Sequence, residues 1–90
     1  MRGLIGRPRL ESGEALVIAR ARRIHTFGLS YPIDVVFCDR DGVVLHVTHD
    51  LKPRRVTRYV RRAHIAVELA GGSVPTDLRP GDRVEVRGDL

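Results

Sequence analysis

Three residues able to act together chemically lie close in the sequence: His25 and Thr26, side by side ahead of Gly28 and Pro32, and Asp34 inside the apolar run 33–37. A hydroxyl, an imidazole and a carboxylate are the parts of a nucleophile relay, in which the acid orients the base and the base takes the hydroxyl proton. The same residues have a structural use. On a strand, Asp34 shares its face with Val36 and Cys38, so its carboxylate is partly buried and needs donors. His25, Thr26 or an N–H of the 25–30 loop would supply them, and the acid would then pin that loop. The structural use is the preferred reading, and no residue is assigned a catalytic role.

Metal chemistry finds less support. His46 and His49 have an H-x-x-H spacing, but residues three apart on a strand point to opposite faces. His64 and Glu68 share a face, yet four strand residues separate them by about 13 Å, too far to hold one ion. The single cysteine, Cys38, has no second thiol for a disulfide or a metal pair. No metal and no cofactor are expected.

Charge points to one segment. Sixteen Lys and Arg against eleven Asp and Glu give a net charge of +5. Lys52, Arg54, Arg55, Arg58, Arg61 and Arg62 carry the whole excess, with no acid among them. Such a block is usually a solvated face; its alternative use is as an anion- or nucleic-acid-binding surface. Tyr59 is the one aromatic within it, too little stacking surface for specific single-strand recognition.

These groups need a scaffold, and the chain offers a small one. At 90 residues, with 42% apolar and 30% charged residues, it makes a single domain that buries about two-thirds of its unfolded surface. The apolar residues fall into short runs separated by turn signals, the pattern of a strand-rich domain. Residues 33–37 and 43–48 read as a β-hairpin around Asp41 and Gly42, both tolerant of positive φ. Val43, Leu45 and Val47 are its expected core face. Residues 64–70 alternate, with Ile65, Val67 and Leu69 inward and His64, Ala66 and Glu68 outward. Ala15 to Ala19 is a further strand. Pro80, Gly81 and Asp82 launch a last one, with Val84 and Val86 inward. Residues 73–78 hold at most a short helical turn, because Pro75 lacks an N–H, and residues 3–9 form one irregular turn limited by Pro8. Six or so short strands predict a mainly β fold: a compact antiparallel β sandwich or partly open barrel with one or two short helical turns.

The order of these residues resembles a known family, the small bacterial and archaeal proteins called domain of unknown function 192. The likeness starts at Arg2, Gly3, Leu4, Ile5, Gly6 and Arg7 and passes through Gly13, Glu14, Ala15 and Leu16. It is strongest over Ile24, His25, Thr26, Phe27 and Gly28 and over Pro32, Ile33, Asp34, Val35, Val36 and Phe37. Asp39, Gly42, Leu51, Pro53, Arg55, then Val67, Glu68, Leu69, Gly72 and finally Gly81 and Asp82 follow in the family's order. The resemblance implies a mainly antiparallel β sandwich or barrel and supplies no activity. The family has Met where Leu29 stands, a basic residue at Ser30, often Trp at Arg54, and Pro at Ala70. It also implies an additional N-terminal strand ahead of Arg2, whose lack here would leave a sheet edge open, and an export signal in many members that this sequence does not show.

The expectation is therefore a non-enzymatic accessory module that binds a protein or small ligand, with His25, Thr26, Asp34, Arg55 and Glu68 as its ligand-binding residues. Anion or nucleic-acid binding through residues 52–62 is the alternative, and a hydrolase-like enzyme using His25, Thr26 and Asp34 the second alternative. Homodimerisation through the open edge is the expected self-association. Specific nucleic-acid recognition and membrane insertion are not expected, since no apolar run is long enough for a signal peptide or span, and the expected location is cytoplasmic.

Overall fold

The β-branched runs of this chain pair as the sequence demands. The computed structural model describes residues 13–85. Four strands, β1 (Ala15–Ala19), β2 (Ile33–Cys38), β3 (Val44–Leu51) and β4 (Ile65–Ala70), form one open antiparallel sheet in the order β1-β4-β2-β3. The mainly β expectation holds. There are four strands among the described residues rather than six, together with isolated bridges His25 to Val56 and Val43 to Arg83. No helix occurs among them: residues 73–78 make a turn closed by the Leu78 N–H on the Pro75 carbonyl. The turn expected at residues 3–9 lies outside the described residues, as does Val86.

Cross-strand partners share a face, so the register sorts the core into two layers. Ile33, Val35, Phe37, Leu51 and Ala66 point to one side and are covered by Ile24, Leu29, Tyr31, Val60 and Ala63. Val36, Cys38, Val44 and Val67 point to the other and are covered by Val74, with Leu78 and Val84 half-buried against them. Loops therefore do the work of a second sheet, and all six residues of β2 are buried. Phe37 alone, fully buried, contributes about 1.5–3 kcal/mol of apolar burial.

Two expected faces are corrected by this arrangement. In the hairpin the register slips between Phe37 and Cys38, which puts Val44 and Val47 in the same layer and Leu45 in the other; Val44, not Val43, is the fully buried residue. In β4 the side expected to be outward is sealed as well, because β4 lies between β1 and β2 under the first core layer: Ala66 and Glu68 are both buried.

The hairpin tip is organised by Asp39 rather than Asp41. Asp39 Oδ1 accepts the N–H groups of Asp41 and Val43, and Gly42 takes the positive φ of 82°. A Cβ on Gly42 would stand 2.6 Å from the Val84 carbonyl oxygen, so glycine is required for the 81–84 segment to return against the tip. Among the described residues that return is a bridge and three backbone bonds, Val44 N–H to Asp82, Gly81 N–H to Val44 and Val84 N–H to Gly42.

Candidate functional site

Asp34 builds one side of the molecule. Fully buried on β2, it accepts the Asp50 N–H at Oδ1 (2.8 Å) and the Val74 N–H at Oδ2 (2.9 Å). The expected burial and bonding are found; the donors are not those of the 25–30 loop but backbone groups of β3 and the 73–78 turn. Asp50 has φ 52°, and its amide reaches the carboxylate from that left-handed turn.

Through Val74, Asp34 shapes an apolar groove. Val36, Val67 and Val74 form its buried floor and Leu69, Leu78 and Val84 its half-buried walls, with Ser73, Pro75, Ala15 and Glu85 around them. The volume is about 290 Å³, close to the lower end of small-ligand pockets. Sequence reading missed the groove because Val74, Leu78 and Val84 come from a turn and a bridge, which carry no periodicity. Asp34, interrupting an apolar strand, was the signal available.

Thr26 organises the opposite end. Fully buried, its Oγ1 donates to the Lys52 carbonyl (2.6 Å) and accepts the Arg55 N–H (2.8 Å), while its own N–H donates to the Arg55 carbonyl (2.8 Å). The hydroxyl is committed to the 52–55 turn, where Arg54 has φ 62°. The His25 ring packs on Phe27, centroids 5.6 Å apart, with Nδ1 buried and unbonded. Of the five expected ligand-binding residues, Thr26 and Arg55 are thus brought together. Asp34 is held elsewhere, on the groove side.

Glu68 lies on the other face. It opposes Val35 and Leu16 across the sheet, is fully buried, and neither carboxyl oxygen has a hydrogen-bond partner. Burial pushes its carboxyl up to about 7, so near neutrality its protonated and ionised forms are both populated. Burial also raises the Cys38 thiol, with the Asp39 charge adding to it, which keeps that cysteine in its unreactive protonated form.

The cations of the basic segment are spread over the surface. Lys52, Arg54, Arg55, Arg58, Arg61 and Arg62 are all exposed, Lys52 pairs with Asp50 at 2.6 Å, and Arg23 lies over the exposed Tyr59 ring at 5.5 Å. No cluster of three or more metal-ligating side chains occurs among the described residues. Among those residues, no helix is long and apolar enough to cross a membrane.

The family model of domain of unknown function 192 (DUF192), described as "Uncharacterized ACR", matches residues 1–86. The chain belongs to the DUF192 family. A similar fold is seen in the crystal structure of a protein of unknown function from Novosphingobium aromaticivorans, with a TM-score of 0.78 and 23% identity over 93% of this chain. The DUF192 chain spans 65% of that longer protein. A search of the curated proteins finds no match. In this DUF192 domain, Asp34, Glu68 and the Thr26 turn all fall on residues that carried the sequence resemblance.

Proposed function

We propose that this DUF192 domain is a non-catalytic binding module that takes a compact apolar group, carried by a small molecule or by a partner protein's side chain, in the groove floored by Val36, Val67 and Val74. The observation that supports it is an open apolar groove of about 290 Å³ whose floor is fixed at Val74 by a buried carboxylate. An engineered apolar cavity of ~150 Å³ suffices to bind benzene, so this volume accommodates a bicyclic or branched group. Hydrolase-like chemistry has weaker support, because the Thr26 hydroxyl is engaged with the backbone at Lys52 and Arg55.

A methyl-NMR titration with indole tests the reading. Shifts confined to Val36, Val67, Leu69, Val74, Leu78 and Val84 support it; their absence, or shifts centred on the other core layer, overturns it. The exposure of all six cations in residues 52–62 favours anion binding as a second reading. That reading leaves the groove methyls unmoved and shifts the Arg55 and Arg58 amides on addition of a polyanion.

A further inference from the structure

The outer edge of β1 carries a pattern that the groove does not explain. β1 ends the sheet of described residues, and its five partners on β4 follow one unbroken register. Just beyond it, the Arg20 N–H donates to the His64 carbonyl at 2.6 Å, which marks that pair as hydrogen-bonded. Antiparallel pairs alternate, so Leu16 and Ile18 direct their backbone groups to β4, whereas Ala15, Val17 and Ala19 direct theirs away from it. Those same three residues have exposed side chains, Val17 at 41%. Within Ala15–Ala19 the strand carries no charge, no proline and no bulge, three of the devices that protect an edge.

Its sequence is also close to a palindrome. Ala-Leu-Val-Ile-Ala set antiparallel to itself about Val17 pairs Ala15 with Ala19, Leu16 with Ile18 and Val17 with Val17, matching small with small and branched with branched. In that register the outward-directed residues face only one another, giving up to about six inter-strand bonds at two per hydrogen-bonded pair.

We infer that β1 is a homodimer seam, in which two copies join edge to edge about a two-fold axis through Val17 into one continuous sheet. A two-fold normal to the sheet leaves both apolar grooves on the same side of it, one on each flank of the seam, with Ala15 shared between groove and seam.

Sedimentation and cysteine cross-linking test this together. The protein is expected at twice its 10.1 kDa monomer mass. Val17→Lys sets two like charges against each other on the axis, and is expected to give a monomer with unchanged circular dichroism. Val17→Cys places thiols on Cα atoms about 5.5 Å apart, within disulfide reach, and is expected to cross-link under mild oxidation. Ala15→Cys, equally exposed but opposite Ala19, is expected not to; the native Cys38 is buried and does not compete. A monomeric parent protein, or a Val17→Lys variant that stays dimeric, overturns the proposal, as does an Ala15→Cys variant that cross-links as readily as Val17→Cys. Exchange-protected Val17 and Ala19 amides in a monomer would assign the edge to the chain's own residues, and also overturn it.

Discussion

Asp34 and Glu68 stand one residue out of step on neighbouring strands, Asp34 opposite Leu69 and Glu68 opposite Val35, so these two buried carboxyls project from opposite faces of one sheet. Their surroundings differ as much as their directions. Asp34 holds two backbone N–H groups and acts as a joint between β2, β3 and the 73–78 turn. Glu68 holds nothing. One is a structural acceptor; the other is a titrating group in an apolar layer.

Removing the joint has a defined cost. Asp34→Ala leaves the Asp50 and Val74 amides without their acceptor and is expected to destabilise the fold by about 1–3 kcal/mol. Because Val74 lines the groove, the same substitution is expected to weaken indole binding beyond what stability alone explains. Urea denaturation and the methyl titration check both parts; an unchanged unfolding midpoint would sink the first.

Glu68 makes stability depend on pH in the opposite sense from an ion-paired acid. Its folded carboxyl titrates at about 7 against 4.5 for a freely solvated glutamate, so between those values the folded chain holds a proton that the unfolded chain has lost. Stability is therefore full below about 4.5 and falls as pH rises through 7, by about 3 kcal/mol in all. His46 opposes this at the acid end: burial first, and then Arg58, lower its pKa, so its contribution grows as pH rises toward 6.5. Comparison with Glu68→Gln, which leaves His46 in place, isolates the carboxyl. Between pH 5 and pH 8 the urea midpoint of the parent is expected to fall relative to that of Glu68→Gln, and Glu68→Leu is expected to be the more stable protein at pH 8. Parallel parent and Glu68→Gln profiles would show that the carboxyl does not titrate in the core.

The hairpin and the burial of Asp34 were legible in the sequence because each rests on local chemistry: β-branched runs around a glycine turn, and an acid among apolar neighbours. Asp34's donors were not, since Asp50 and Val74 lie sixteen and forty residues away and meet it only in three dimensions. Alternation in β4 reveals one apolar side, but it carries no information about what covers the other. The covering residues Ile24, Leu29 and Tyr31 come from a loop with no period of its own, so Glu68 reads as outward although it is sealed. The slip between Phe37 and Cys38 likewise inverts the expected face at Val44.

Thr26 predicts a local rather than a global effect. Thr26→Val keeps the side-chain shape and removes the hydroxyl, leaving the Arg55 N–H and the Lys52 carbonyl each short of a partner, at about 1–3 kcal/mol. Thr26→Ser retains the hydroxyl and should lose much less. Hydrogen exchange at Arg55 is the sensitive readout: faster in Thr26→Val, near the parent rate in Thr26→Ser. Equal exchange in all three proteins would mean that the hydroxyl does not hold the turn.

Nucleic acid offers the last test, because the Thr26-anchored turn begins the basic segment. Its six cations are exposed and can meet phosphates, but the segment contains one aromatic ring, and Arg23 already lies over that ring. Backbone electrostatics without base stacking gives weak, salt-sensitive and sequence-blind association. Titration with DNA and RNA at physiological salt is expected to show nothing tighter than roughly micromolar affinity. If about four to six phosphates are contacted, log K should fall against log salt with a slope near −3 to −5. Reversing Arg58, Arg61 and Arg62 to Glu should then abolish most of that slope while leaving the groove's response to indole intact, since none of the three lines it. A sub-micromolar, sequence-selective complex would instead make the basic segment, not the groove, the functional surface of this domain.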